Sequence, residues 1–314
     1  MQTVVVENTD KVGKSYTPED DSIFWNYGLS QLEEDLKEQR VVSCKVVKCH
    51  SDMSLSVLIG KYRATIESAD VCYREKDRRK VKIQRLVGKS VKAVVKEVNI
   101  DESGKAEIKL SRAEAQRKCL EEFILKLPKG YILKATVDGA SDFGIFCDIG
   151  CGLSELVPSG QLSISKLNLF KVAQDNRHLN VIVRDNSNPE RIELSHKELL
   201  GTFEELTKDI KVGDTVMGTV INKSDFGFFV ALGANIKGLA DPSPKFNGLK
   251  PFDWVIVTVK SINVERMKIR LGIVDVIPKD EGHKLRMNYK ITSGIMKHWK
   301  YSPDGCEREI ETVF

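Results

Sequence analysis

SDFGIFCDIG at 141–150 and SDFGFFVALG at 224–233 are two copies of one ten-residue stretch, 83 positions apart and identical at six of the ten. A weaker copy, SDMSLSVLIG, occupies 51–60, 90 positions before the first. A repeat of that length is a small domain. Alternation along a strand puts Phe228, Val230 and Leu232 on one face and Phe229, Ala231 and Gly233 on the other. The first set reads as core. The same split sends Ile145, Cys147 and Ile149 inward and Phe146, Asp148 and Gly150 outward.

Working outward, each copy follows a β-rich run: VVSCKVV (41–47), YILKATV (131–137) and TVMGTVI (215–221). Each precedes a second such run, VKAVVKEV (91–98), LNVIVRD (179–185) or VIVTVKSI (255–262), and then a short closing strand, EIKLS (107–111), RIELS (191–195) or KIRLG (268–272). Several short strands per unit predict small barrels. The expected fold is mainly β: three tandem five-stranded oligonucleotide-binding-fold barrels joined by helices.

The expected segments are 1–38, an acidic leader with an N-terminal helix; 39–112, a degenerate first repeat; 113–127, a linker helix; 128–195, the second repeat; 196–210, a second linker helix; 211–278, the third repeat; and 279–314, a small C-terminal β appendage. Ser111 with Glu114, and Ser195 with Glu198, have the spacing of capping boxes that open the two linkers. Apolar positions 115, 120, 123, 124 and 127, then 199, 203, 206 and 210, give each linker one buried stripe. A leading helix is signalled by Thr17, Pro18 and Asp20, with Trp25, Leu29, Leu32 and Leu36 on the face expected to pack on the first barrel.

Composition bounds the function. The 314 residues are 41% hydrophobic and 30% charged, without an apolar run long enough for a membrane span or a signal peptide, so a cytoplasmic protein with no membrane partner is expected. Seven cysteines are an odd number without CxxC spacing, which favours reduced thiols over a disulfide framework or a zinc site at Cys147 and Cys151. No Walker loop, HExxH, GxSxG or paired metal carboxylates occur, so neither an enzyme nor a cofactor is expected. The net charge of +4 divides into −6 over residues 1–36 and +10 over the rest, a basic body suited to a polyanion.

Phe146 and Phe229 need a reason to stand on a wet face, and stacking on a base is one. Phe143 and Phe226, beside a glycine at the strand starts, extend such a platform; the competing reading has the rings cap the barrel end or pack on the next repeat. Arg191, Lys268 and Arg270 point away from the core side of the closing strands, where they flank the rings and can neutralise phosphates. In the first repeat Met53 and Ser56 take the aromatic positions and Glu107 the first basic one. That repeat has instead the run CYREKDRRKVKIQR at 72–85, whose Arg78, Arg79 and Lys80 form a secondary basic patch or an ordinary solvated loop.

A Gly-containing first strand, a DFGxFV-like second strand, an LVP turn and an RIxLS closing strand resemble the S-one RNA-binding domain of bacterial small-subunit ribosomal proteins. The stretches LSRAEAQ, DIGCGLSELVPSGQLSISKL, LSHKELLGTFEEL and ITSGIMKHWKYSP resemble the short form found in clostridia. The resemblance implies the oligonucleotide-binding fold, a role in holding mRNA on the small ribosomal subunit, and RNA contacts from Phe143, Phe146 and Arg191, then Phe226, Phe229 and Lys268. The family's histidine after the third strand is replaced by Pro158 and Asp241. The expected protein is a monomeric binder of single-stranded RNA in translation. A non-ribosomal RNA adaptor or chaperone in decay or transcription is the alternative, and a protein-interaction scaffold the third reading.

Overall fold

The computed structural model describes residues 3–5, 16–19, 28–102, 106–278 and 283–314. Strand β1 (Thr3–Val5) is followed by helix α1 (Leu29–Glu38), whose Leu32 is buried in the core of the first unit, with Leu29 and Leu36 packed against it. The expected helical start at Asp20 and the ring of Trp25 lie outside the described residues.

The first unit is a closed barrel of β2 (Val41–Cys49), β3 (Leu55–Ile59), β4 (Tyr62–Ile66), β5 (Ser90–Ile100) and β6 (Ala106–Ser111), in the order β2-β3-β4-β6-β5. Helix α2 (Lys80–Gln84) lies in its long connection, and α3 (Arg112–Lys118) leaves it. Ser111 caps α3 by accepting the Glu114 amide at 3.0 Å, while the Glu114 carboxylate turns to Arg117. After α3 the chain widens into a π turn at Cys119–Phe123 and tightens into a 3-10 turn. The expected stripe is buried throughout: Ala115, Leu120, Phe123, Ile124 and Leu127.

The middle unit has β7 (Ile132–Ser141), β8 (Gly144–Asp148), β9 (Ser154–Pro158), helices α4 (Ser159–Leu162) and α5 (Leu169–Asp175), β10 (His178–Asp185) and β11 (Glu193–Ser195). Its sheet runs β11-β10-β7-β8-β9; β9 and β11 lie side by side without a hydrogen-bonded ladder, so this barrel is nearly closed. The 196–210 linker is not one helix. Gly201, at φ 95°, separates a 3-10 turn at Lys197–Leu200 from α6 (Phe203–Thr207), which has its own capping box in Thr202 and Glu205.

The third unit closes β12 (Thr215–Ser224), β13 (Gly227–Ala231), β14 (Lys237–Ala240), β15 (Trp254–Asn263) and β16 (Lys268–Val276) into a barrel ordered like the first. Two bulges recur in all three units: between Val46 and Lys48, Val137 and Gly139, and Val220 and Asn222 in the first strand, and between Val95 and Glu97, Val183 and Asp185, and Val259 and Ser261 in the fourth. A bulge adds twist. Its repetition gives the three sheets a common register.

The C-terminal segment is part of the core rather than an appendage. Strand β17 (Ile295–Lys300) pairs with β1 on one side and β18 (Glu311–Val313) on the other. Its Met296 and Trp299, with Tyr301, are buried in one cluster with Ile132 and Ile182 of the middle unit, Phe203 of α6 and the inner face of the third barrel. Burial of that much apolar and aromatic surface holds the two units together.

Another junction ties the first unit to the middle one. Arg74 has a fully buried side chain and pairs with Glu155 on β9, while Lys76 donates to the Glu190 carbonyl. Nearby, Glu19 takes the Arg112 guanidinium through both oxygens at 2.7 and 3.0 Å. Asp148 accepts the backbone amides of Glu19, Gly150 and Gly152 at 2.6, 2.8 and 3.0 Å. Asp148 is therefore buried, although alternation sends it outward, because residues 16–19 cover that end of β8. Ala231 at the matching place in the third barrel is buried as well.

Candidate nucleic-acid interface

Phe228, Val230, Ile145 and Cys147 fill the cores, as alternation requires, and Phe146 and Phe229 are half-buried on the opposite face. Directly paired residues project to the same side of a sheet. On the third barrel this gives the outer row Asn222, Phe229, Leu239, Arg270 and Ser261, one residue from each of the five strands. On the middle unit the row is Gly139, Phe146 and Leu156, continued beyond the open seam by the paired Glu193 and Asp185. On the first barrel it is Lys48, Ser56, Thr65, Lys109 and Glu97.

Phe143 and Phe226 sit in the hairpin turns ahead of β8 and β13 and are 60% and 76% exposed, which removes barrel-end packing as their role. The turns are tied by Ser141 and Ser224, whose hydroxyls donate to the carbonyls of Gly144 and Gly227 at 3.3 and 3.1 Å. Only glycine fits there: a Cβ on Gly144 or Gly227 would stand 2.4 or 2.0 Å from the carbonyl oxygen of Val157 or Ala240. The Phe143 and Phe146 rings meet edge to face, centroids 6.2 Å apart, so the two form one aromatic surface.

The cations are less uniform than the sequence suggests. Arg191 precedes β11, is 72% exposed and lies 3.9 Å from Glu193, which holds the place that Arg270 has in the third barrel. Arg270 and Lys260 share Asp241 at 3.4 and 2.7 Å, exposed pairs that cost little to exchange for a phosphate. Lys268 opens β16, exposed. The acidic end of the middle row, with Asp185 also held by Lys129 at 3.2 Å, leaves the third barrel with the more basic face.

The basic run of the first unit is not a free stripe. Besides Arg74, Lys82 pairs with Asp77 at 3.0 Å, and Arg78 donates to the carbonyls of Cys72 and Ala69 at 3.3 and 3.0 Å. Arg79 and Lys80 stay exposed. Where the other rows carry a phenylalanine, Ser56 leaves a hollow of about 710 Å³, lined also by Lys48, Thr65 and the exposed Val47 and Ile100. His50 shares a 2.7 Å hydrogen bond with Ser56.

One pair of rings escaped the sequence reading. Phe170, 58% exposed on α5, and Phe252, at φ 72°, line a cavity of about 580 Å³ between the middle unit and the third barrel, with Asp142 of the Phe143 turn on its wall. The signal was present: Leu169 and Val172 define the buried side of α5, and Phe170 falls off it.

The seven cysteines are free thiols, and among the described residues no group of three His, Cys, Asp or Glu side chains is placed to hold a metal. Among the same residues no helix is long and apolar enough to cross a membrane.

The chain is a mainly β protein of closed or nearly closed five-stranded barrels of the oligonucleotide-binding type. No family model matches it. Among curated proteins it is 30% identical over 189 residues to small ribosomal subunit protein bS1 of Staphylococcus saprophyticus, covering 57% of this chain and 47% of that one. It is 32% identical over 173 residues to the bS1 homolog of Bacillus subtilis, covering 53% and 43%, and 26% identical over 272 residues to bS1 of Neisseria meningitidis, covering 82% and 47%. The chain spans about half the length of the curated relatives it matches. The relatives it matches over these stretches are bS1 proteins. Two solved structures are similar: a multidomain protein with nucleic acid binding domains from Streptococcus pneumoniae (14% identity, 77% of this chain and 74% of that one, TM-score 0.25) and GSP13 from Bacillus subtilis (28%, 24% and 66%, TM-score 0.20).

Proposed function

We propose that the chain binds single-stranded RNA through the outer faces of the middle unit and the third barrel, acting as tandem S-one-type repeats, and that it does so on mRNA at the small ribosomal subunit. The observation that carries the reading is the pair of rings repeated in register: Phe143 with Phe146, and Phe226 with Phe229, each beside a leucine of the third strand. Exposed rings on a sheet offer bases a stacking surface worth about 1–3 kcal/mol per base. Arg191, Lys268 and Arg270 supply phosphate contacts. In this reading the RNA passes between the two units by way of the cavity at Phe170 and Phe252. The first barrel, with Ser56 and a paired Lys109, contributes spacing more than stacking.

With two faces on units that share a hydrophobic cluster, the second engagement is intramolecular. Phe146→Ala with Phe229→Ala is expected to weaken oligoribonucleotide binding well beyond either change alone, read by fluorescence anisotropy. Unchanged affinity in the double variant ends the stacking reading. Co-sedimentation with small ribosomal subunits at physiological salt tests the ribosomal part; a protein that stays in the supernatant yet binds RNA is an adaptor outside the ribosome.

A further inference from the structure

The turn between β15 and β16, the α4 turn of the middle unit and tail residues 306–310 enclose a cavity of about 550 Å³. Five cations stand on its wall, Lys197, Lys237, Arg266, Lys268 and Arg308, against one carboxylate, Glu307. Among the described residues none of the five has a carboxylate within 4 Å, and Lys197 is held only by the Gly160 carbonyl at 3.3 Å. Elsewhere on the surface Arg40, Lys109 and Arg117 each have two or three acidic partners. Burial lowers the pKa of both Lys197 and Lys237, and at Lys237 the Arg308 charge adds to it. Five like charges gathered beside Ile164, Met267 and Ile310, with Lys197 half-buried and the other four exposed, repel one another, and an anion joining them relieves that repulsion.

The pocket is continuous with the stacking face. Leu239 on β14 pairs with Arg270 on β16, so Lys237 and Lys268, two residues back on each strand, lie side by side on that outer surface, about 6.6 Å from the Phe229 row. We infer that this pocket binds a phosphate group of the RNA that runs over the third barrel, with Lys197 and Arg308 reaching it from the middle unit and the tail. The RNA half of this statement rests on the proposed function; the phosphate half does not. Because three parts of the chain supply the cations, the pocket is assembled only when the tail is docked.

The test uses the full chain with Lys197→Gln plus Arg308→Gln, neither of which lies on the ring faces. Inorganic pyrophosphate is expected to raise the melting temperature of the wild type and not that of the variant. In salt titrations of oligouridylate binding, the variant's log-log slope is expected to be shallower by about 0.7, one phosphate contact. A preference for 5′-phosphorylated over 5′-hydroxyl oligomers that the variant loses assigns a terminal phosphate; the same slope change on both assigns an internal one. Equal pyrophosphate response and equal slope in wild type and variant overturn the inference. If the wild type binds no RNA, the proposed function falls while the pyrophosphate arm still decides the pocket. Should the double variant melt early, Lys237→Gln alone is put through the same two measurements.

Discussion

Removing Arg74 should do more harm than its place in a surface loop implies. Its side chain is fully buried and its partner Glu155 is 5% exposed, so Arg74→Met leaves a carboxylate in the β9 edge without its main counter-charge. Burial already pushes the Glu155 pKa up despite Arg74. Breaking one side of a buried pair costs about 3–5 kcal/mol. Lys76, 3.7 Å from the same carboxylate and partly exposed, offsets some of it, so about 3 kcal/mol is expected. In urea, with a slope of about 2–3 kcal/mol/M, the midpoint read by far-UV circular dichroism should fall by about 1 M or more. The companion Arg74→Met/Glu155→Leu should return to within about 1 kcal/mol of wild type, because two Arg74 nitrogens make no hydrogen bond and their desolvation is recovered. A midpoint shift under about 0.3 M for the single variant, or a double variant no more stable than it, would refute this account.

His196 is buried between the Leu162 carbonyl at 2.7 Å and the Tyr289 hydroxyl at 3.0 Å, and burial lowers its pKa from 6.5 to about 4. Its folded pKa lies below the unfolded one, so its share of stability is complete above pH 6.5 and is lost as pH falls through about 4, roughly 3 kcal/mol in all. The difference between wild-type and His196→Gln unfolding free energies should follow that curve; a difference independent of pH contradicts it. Phe226→Ala, at a ring 76% exposed, should leave the melting transition unmoved, within about 0.5 kcal/mol, and weaken RNA binding; a destabilised variant would make Phe226 a packing residue.

The register of the candidate site was legible because it is local. Alternation alone separates Phe228 from Phe229, and the glycines beside Phe143 and Phe226 mark the turns that expose them. Departures arise where distant segments meet. Asp148 is buried by residues 16–19, and Arg74 by a strand of the next unit. Trp299 lies in a largely polar stretch, and its burial comes only from the third barrel and α6 closing around it. The break at Gly201 was open to a local reading, since Thr202 and Glu205 have capping-box spacing just past a glycine. Glu193 stands inside the RIELS motif, but only pairing shows it at the Arg270 position with Asp185 beyond it.

The pairing of β1 with β17 has a kinetic meaning. Thr3 lies opposite His298, so the strand partners are separated by almost the whole described chain. Such a ladder forms late, after the loop between its ends has been shortened by the barrels that fold within it. The first barrel can close from contacts within 41–111 as it is made, whereas the third barrel's cluster with Trp299 and Tyr301 must wait for residues beyond 290 to emerge. Until then the nascent chain holds a finished first barrel joined to two unsealed ones.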